Sequence, residues 1–84
     1  MYAILVYDVD EKRVSKINKY LKRYLIWVQN SVFEGEITDA LLNEMMDGLD
    51  ERLKEGDSVI LYKFKTKGYV DRFIIGEKRD LNVI

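Results

Sequence analysis

Two stretches of helical spacing set between runs of β-forming residues, in the order strand, helix, strand pair, helix, strand, predict an α+β sandwich of ferredoxin-like topology. The pattern is βαββαβ with one additional strand near the C-terminus. The first strand is also apolar on both faces, which marks it as central in its sheet and covered from both sides.

The elements follow in order. Residues 2–7, YAILVY, are continuously apolar and rich in β-formers, the composition of a buried strand. Over 11–24, Val14, Ile17, Leu21 and Tyr24 recur at steps of three, four and three, which is one helical face, with the basic residues largely on the others. Residues 26–36 read as a strand or a tight strand pair, through Trp27, Val28, Val32 and Phe33. Thr38 is an N-cap for a second helix, whose apolar positions Leu41, Leu42, Met45, Met46, Leu49 and Leu53 keep helical spacing and whose end Gly56 marks. Residues 58–64 and 69–75 read as two more strands, joined through Lys65-Thr66-Lys67-Gly68.

Both helices lie on one side of the sheet in this architecture. Strand side chains alternate, so the first strand offers Ile4 and Val6 to one face and Ala3, Leu5 and Tyr7 to the other. Two apolar faces with helices for only one imply a second cover. A homodimer formed sheet to sheet is the economical expectation, with the C-terminal strand or residues 81–84 adding to the partner's edge. Size points the same way: 84 residues make one domain, 1–84, and a chain this small buries only roughly 60 to 65% of its unfolded surface. With 48% hydrophobic residues and no cysteine, a compact core or a partner must supply the stability. The apolar runs are far short of the roughly 20 residues that cross a bilayer. The expectation is a soluble, cytoplasmic protein with no membrane partner.

The formal net charge of −1 hides a segregation along the chain. Lys12, Arg13, Lys16, Lys19, Lys22 and Arg23 form a basic stretch with no acid among them, whereas Glu34 to Asp57 is acidic apart from Arg52 and Lys54. A near-neutral total therefore does not exclude a polyanion partner, because binding depends on the local patch.

Histidine and cysteine are absent. Histidine general bases, serine-histidine-aspartate arrangements, thiol nucleophiles and cysteine or histidine zinc sites are thereby excluded within one chain. Carboxylate, hydroxyl and basic side chains remain. Asp8 closes an apolar strand, where a charge is costly unless solvated, hydrogen-bonded or bound to a cation. It is either a ligand for Mg2+ or Mn2+ that holds a phosphodiester, or an ordinary polar strand end. Asp10 is an N-cap, or a second carboxylate on the face of Asp8 if the extended geometry persists. Lys12, Arg13 and Lys16 stand near the helix start, where they meet phosphates or form a solvated face. Positive charge there opposes the helix macrodipole, so helix stability alone does not favour it. Ser31 bonds a phosphate, orients Asp8 or satisfies backbone at a turn. Phe33 and Trp27 stack on bases or fill the core.

Tyr7-Asp8 at the end of an apolar strand, then a basic helix, then Val28-Gln29-Asn30-Ser31-Val32-Phe33-Glu34-Gly35, is a series that resembles one family. That family is the small second core CRISPR-associated protein, partner of the CRISPR integrase in acquiring new spacers for antiviral defence. The resemblance extends to length and element order over nearly the whole chain. It implies a ferredoxin-like fold, sheet-to-sheet dimers and a divalent-metal-dependent endonuclease acting on RNA or DNA. Asp8 would be its metal ligand and catalytic residue, with copies from both subunits flanking one Mg2+ or Mn2+. Beside Asp8, the residues themselves offer Tyr7, Asp10, Ser31 and Phe33 as support and Lys12, Arg13 and Lys16 as backbone contacts. The same family also implies a noncatalytic dimeric scaffold that bridges integrase subunits. Many relatives carry a basic residue two positions before the glutamine, where this chain has Trp27, a departure that bears on cleavage more than on a scaffold. Apart from the resemblance, a toxin-like metal-dependent ribonuclease is the next reading.

Overall fold

The apolar N-terminal run is the centre of the sheet. The structure, a computed structural model, describes residues 1–77. Tyr2–Asp8 is β1, Glu11–Leu21 is α1, Ile26–Gln29 is β2, Val32–Glu36 is β3, Asp39–Arg52 is α2 and Ser58–Phe64 is β4. The strands run in the order β2-β3-β1-β4, antiparallel throughout, which is the ferredoxin-like arrangement expected. Residues 26–36 resolve into a strand pair turning at Asn30 and Ser31. Asn30 has φ 44°, in the left-handed region that its short polar side chain tolerates.

Alternation along β1 divides the two faces as expected. Ala3, Leu5 and Tyr7 are buried with Phe33 of β3 against Ile17, Tyr20 and Leu21 of α1 and Leu42, Met45 and Leu49 of α2. Tyr2, Ile4, Val6 and Asp8 point to the other face, where no helix lies. There Ile4 stands opposite Tyr62 and Val6 opposite Ile60, and both β4 residues are about half exposed, at 52% and 53%. Toward β4 this face is therefore without a cover.

Both helix starts are capped by the residues the sequence marked. The Asp10 carboxylate accepts the Lys12 N–H at 2.9 Å, and the Thr38 hydroxyl accepts the Leu41 N–H at 3.2 Å. The second helix ends earlier than Gly56: Leu53 is already extended, at φ −75° and ψ 151°. Gly56, at φ 89°, instead shapes the turn that leads into β4.

The strand expected over 69–75 is a correction. Lys67–Tyr69 forms a short 3-10 turn, and no strand is found after Phe64 among the described residues. Residues beyond β4 leave its edge and pass over the open face of the sheet, so that Arg72 forms an ion pair with Glu34 of β3, two strands away. A segment crossing strands in this way has no neighbour to share a ladder with. Residues 81–84, proposed to augment a partner's edge, lie outside the described residues. Among the described residues no helix is long and apolar enough to cross a membrane.

Candidate active site

Asp8 is the last residue of β1 and lies in register with Ser58 of β4. Because Ile4 and Val6 precede it at steps of two, its side chain projects from the open face, and it is exposed to solvent. Beside it is a shallow depression of about 290 Å³, lined by Tyr7, Asp8, Val9, Val14, Asn30 and Ser31. The β2–β3 turn reaches this point because the Tyr7 N–H donates to the Ser31 carbonyl at 3.2 Å, extending the β1–β3 pairing by one contact. Trp27 braces the same turn, its indole N–H donating to the Asn30 carbonyl at 2.9 Å. A residue expected to weaken the site if it stood for a lost cation thus has a structural task beside it.

The remaining residues singled out from the sequence divide between this depression and other places. Ser31 lines the depression. Tyr7 contributes to its wall, but its ring lies in the core and its hydroxyl donates to the Asn18 side-chain oxygen of α1. Burial pushes that phenol above its ordinary pKa, so it stays protonated at neutral pH. Phe33 is fully buried, 6.4 Å from Tyr7 between ring centroids, and is a packing residue. Asp10 has turned away into its capping role. Its own N–H donates to Asp57 Oδ1 at 3.2 Å.

Lys12, Arg13 and Lys16 belong to a different concavity. They line a hollow of about 430 Å³ with Ile17, Arg52 and Lys54, between α1 and the end of α2. Arg13 is held there by a forked ion pair, its Nε 2.8 Å from Asp57 Oδ2 and its Nη2 2.6 Å from Asp57 Oδ1. Asp57 also accepts the Lys54 N–H at 2.9 Å. The Arg13 guanidinium, with help from the Lys54 and Asp10 N–H groups, holds the Asp57 carboxyl down to about 2. Asp57 was not foreseen, since its partner lies 44 residues away in the chain. Its effect on the site is direct in geometry: it ties the residues just after Asp8 to the α2–β4 turn.

Among the described residues no three or more carboxylate, histidine or cysteine side chains gather in a way that could hold a metal ion. In one chain the depression has Asp8 as its carboxylate residue, with Ser31 and Asn30 as the other lining residues whose side chains carry oxygen donors, apart from the buried Tyr7. All are hard oxygen donors, the class Mg2+ and Mn2+ prefer, but a single carboxylate is a minimal share of such a site.

With the geometry described, the chain can be compared with known proteins. The family described as CRISPR associated protein Cas2 matches residues 1–72. The chain belongs to this Cas2 family. Among curated Cas2 proteins it is 43% identical over 82 residues to the CRISPR-associated endoribonuclease Cas2 2 of Archaeoglobus fulgidus, a match covering 96% of this chain and 89% of the relative. It is 46% identical over 81 residues to the CRISPR-associated endoribonuclease Cas2 of Methanocaldococcus jannaschii, covering 95% of this chain and 71% of that one. A crystal structure of Cas2 superposes with a TM-score of 0.87 at 47% identity, covering 94% of this chain and 90% of the other. Streptococcus pyogenes Cas2, solved at pH 6.5, superposes with a TM-score of 0.72 at 28% identity, covering 87% and 99%. Cas2 membership and the ferredoxin-like fold therefore agree with what the Tyr7-Asp8 and 28–35 motifs implied.

Proposed function

We propose that this Cas2-family protein is a divalent-metal-dependent endonuclease acting on RNA or DNA, working as a homodimer in which Asp8 of each copy flanks one cation. The observation that carries this reading is the position of Asp8: an exposed carboxylate, with no hydrogen-bond or ion-pair partner among the described residues, at the end of a sheet face that no helix covers. Naming as an endoribonuclease among its relatives supports a nuclease role. Two copies joined by their open faces would bring together the second carboxylate that one chain lacks. Mg2+ or Mn2+ bound between them would supply charge neutralisation at the scissile phosphate and Lewis acidity toward water.

The chain's own groups then have separable tasks. Asp8 holds the cation through its carboxylate oxygens. Ser31, which lines the depression, has a hydroxyl to donate to a non-bridging phosphate oxygen. The buried, protonated Tyr7 keeps β1 locked to α1 through Asn18, so the strand end that carries Asp8 is fixed in position.

A second reading is favoured by the minimal ligand set: the protein is a noncatalytic dimeric scaffold that joins integrase subunits during spacer acquisition. One experiment separates the two. Labelled RNA and duplex DNA are incubated with highly purified protein and with Asp8→Ala prepared identically, in Mg2+, Mn2+ or chelator. Cutting that requires metal and falls to background in Asp8→Ala is the expected result. Because Asp8 is exposed, its replacement changes folding stability by less than about 0.5 kcal/mol, so lost activity cannot be put down to unfolding. No cutting by either preparation leaves the scaffold. Equal cutting by both identifies a contaminant.

A further inference from the structure

The backbone around Asp8 is held on one side by the sheet and on the other by a side chain. The ladder pairs Asp8 with Ser58 of β4, and the Tyr7 N–H fixes the residue before it to the Ser31 carbonyl. After Asp8 the chain leaves the sheet through Val9 and Asp10, and α1 begins at Glu11. What ties this interval to the rest of the fold is the bond from the Asp10 N–H to Asp57 Oδ1, at 3.2 Å. Asp57 immediately precedes Ser58, so the start of β4 flanks Asp8 through the ladder and grips the backbone two residues later.

Four donors converge on the Asp57 carboxylate: the Asp10 N–H, the Lys54 N–H, and Nε and Nη2 of Arg13. A carboxylate has about four acceptor positions, so this one is filled, and its side chain is only 2% exposed. Asp57 is therefore an anchor and not a ligand in its own right. A carboxylate enclosed in this way stays ionised because a counter-charge stands against it, and that charge is Arg13. The Arg13 side chain is 26% exposed, whereas Lys12 and Lys16 on the same helix are exposed. An arginine that grips phosphate presents its fork outward. Here the fork is turned inward, onto Asp57.

We propose that Arg13 is a positioning residue and not a phosphate contact: acting through Asp57 on the Asp10 N–H, it sets where the Asp8 carboxylate meets the cation. This assignment, which rests on the reading of Asp8 as a metal ligand, replaces the role that charge and helix position gave Arg13. Ligand side chains depend on the groups that hold them, whose loss costs about 10–100-fold in metal affinity or activity. Only Val9 separates Asp8 from the anchored Asp10 N–H, so slack at Asp57 reaches the carboxylate within two residues.

Mn2+ uptake by the purified protein without nucleic acid, read from the electron paramagnetic resonance of free Mn2+, isolates the cation site; the part lost in Asp8→Ala is the signal. Alongside it, kcat and KM are measured for cutting of labelled RNA and duplex DNA, and affinity for both in chelator. The variants are Arg13→Gln, Arg13→Lys, Asp57→Asn and Arg13→Gln/Asp57→Asn, each checked for native circular dichroism at neutral pH. The expected result is Mn2+ affinity and kcat about tenfold lower in every single variant, KM and nucleic-acid affinity within about twofold of wild type, and a double variant no worse than either single one. Arg13→Lys is the sharpest of the four, since it keeps a charge for phosphate but cannot fork onto Asp57. Unchanged Mn2+ affinity with weakened nucleic-acid binding in Arg13→Gln, restored in Arg13→Lys, would overturn the proposal, as would losses that add in the double variant. Wild type that takes up Mn2+ through Asp8 but never cuts removes the nuclease and leaves the Mn2+ affinities to decide the role of Arg13. Wild type with no uptake dependent on Asp8 overturns both readings.

Discussion

Arg13 and Asp57, 44 residues apart, meet in a forked ion pair that closes the start of α1 onto the turn before β4. Asp57 titrates at 3.8 when free and at about 2 here, so the folded protein binds the proton less readily than the unfolded chain. Its contribution to stability is therefore complete above about pH 4 and is lost as the pH falls through about 2. Asp57→Asn removes the charge while keeping the shape. The gap in unfolding temperature between wild type and Asp57→Asn, followed by circular dichroism, should be widest near neutral pH and narrow steadily below pH 4. A gap that stays constant down to pH 2 would show that the charge on Asp57 contributes nothing. The pair also shows where reading from sequence stops. Charge and helix position placed Arg13 among phosphate contacts, and local spacing has no way to report a carboxylate brought in by tertiary folding. Alternation along β1, by contrast, is a local property, and it correctly separated Ile4 and Val6 from Ala3, Leu5 and Tyr7.

At the scale of elements, α1 and α2 approach closely where a glycine allows it. Gly48 faces the Tyr20 hydroxyl, which donates to the Met45 carbonyl at 3.1 Å inside the interface. A Cβ on Gly48 would stand only 1.9 Å from that oxygen. Gly48→Ala brings the helix propensity of alanine, worth up to about 1 kcal/mol, but it displaces a ring held by a hydrogen bond and by Arg52 stacked over it. Overpacking of this kind costs about 1–3 kcal/mol. The expected outcome is a net loss of stability of about 1–2 kcal/mol, seen as a lower urea midpoint at unchanged m-value. A variant as stable as wild type would mean that Tyr20 swings aside freely. Elements themselves were legible wherever their signal was local: the period of 3.6 in both helices, the caps at Asp10 and Thr38, and the bounds of β4. The segment over 69–75 shows the limit, since its β-formers describe a preference while a strand requires a neighbouring edge. In a single chain Arg72 draws that segment across the sheet to Glu34, which is 4% exposed, so burial of its charge depends on this partner.

At the scale of the molecule, the sheet has a helical layer on one side only, and the proposed chemistry needs what covers the other. Ile26, Ile60 and Tyr62 are 37%, 53% and 52% exposed, and the last two continue the apolar rows of Val6 and Ile4 toward solvent. A stable dimer buries about 800 Å² per partner. Ile60→Glu places a charge midway along the edge strand β4 of that face. In a single chain the position is half exposed, so the fold should lose little, whereas in a face-to-face pair each glutamate would be desolvated without a partner. Light scattering should therefore find the wild type at twice the chain mass of 10.0 kDa and Ile60→Glu at that mass alone. The consequence for activity is the sharper part. Ile60→Glu keeps Asp8, Ser31 and the whole lining of the depression, so a site complete in one chain would continue to cut in Mg2+ or Mn2+. A site that needs Asp8 from each copy should fall silent on dissociation, and its activity in wild type should decline on dilution as the dimer separates. Cutting by monomeric Ile60→Glu at the wild-type rate would refute the shared-cation arrangement while leaving Asp8 as the ligand of a site within one subunit.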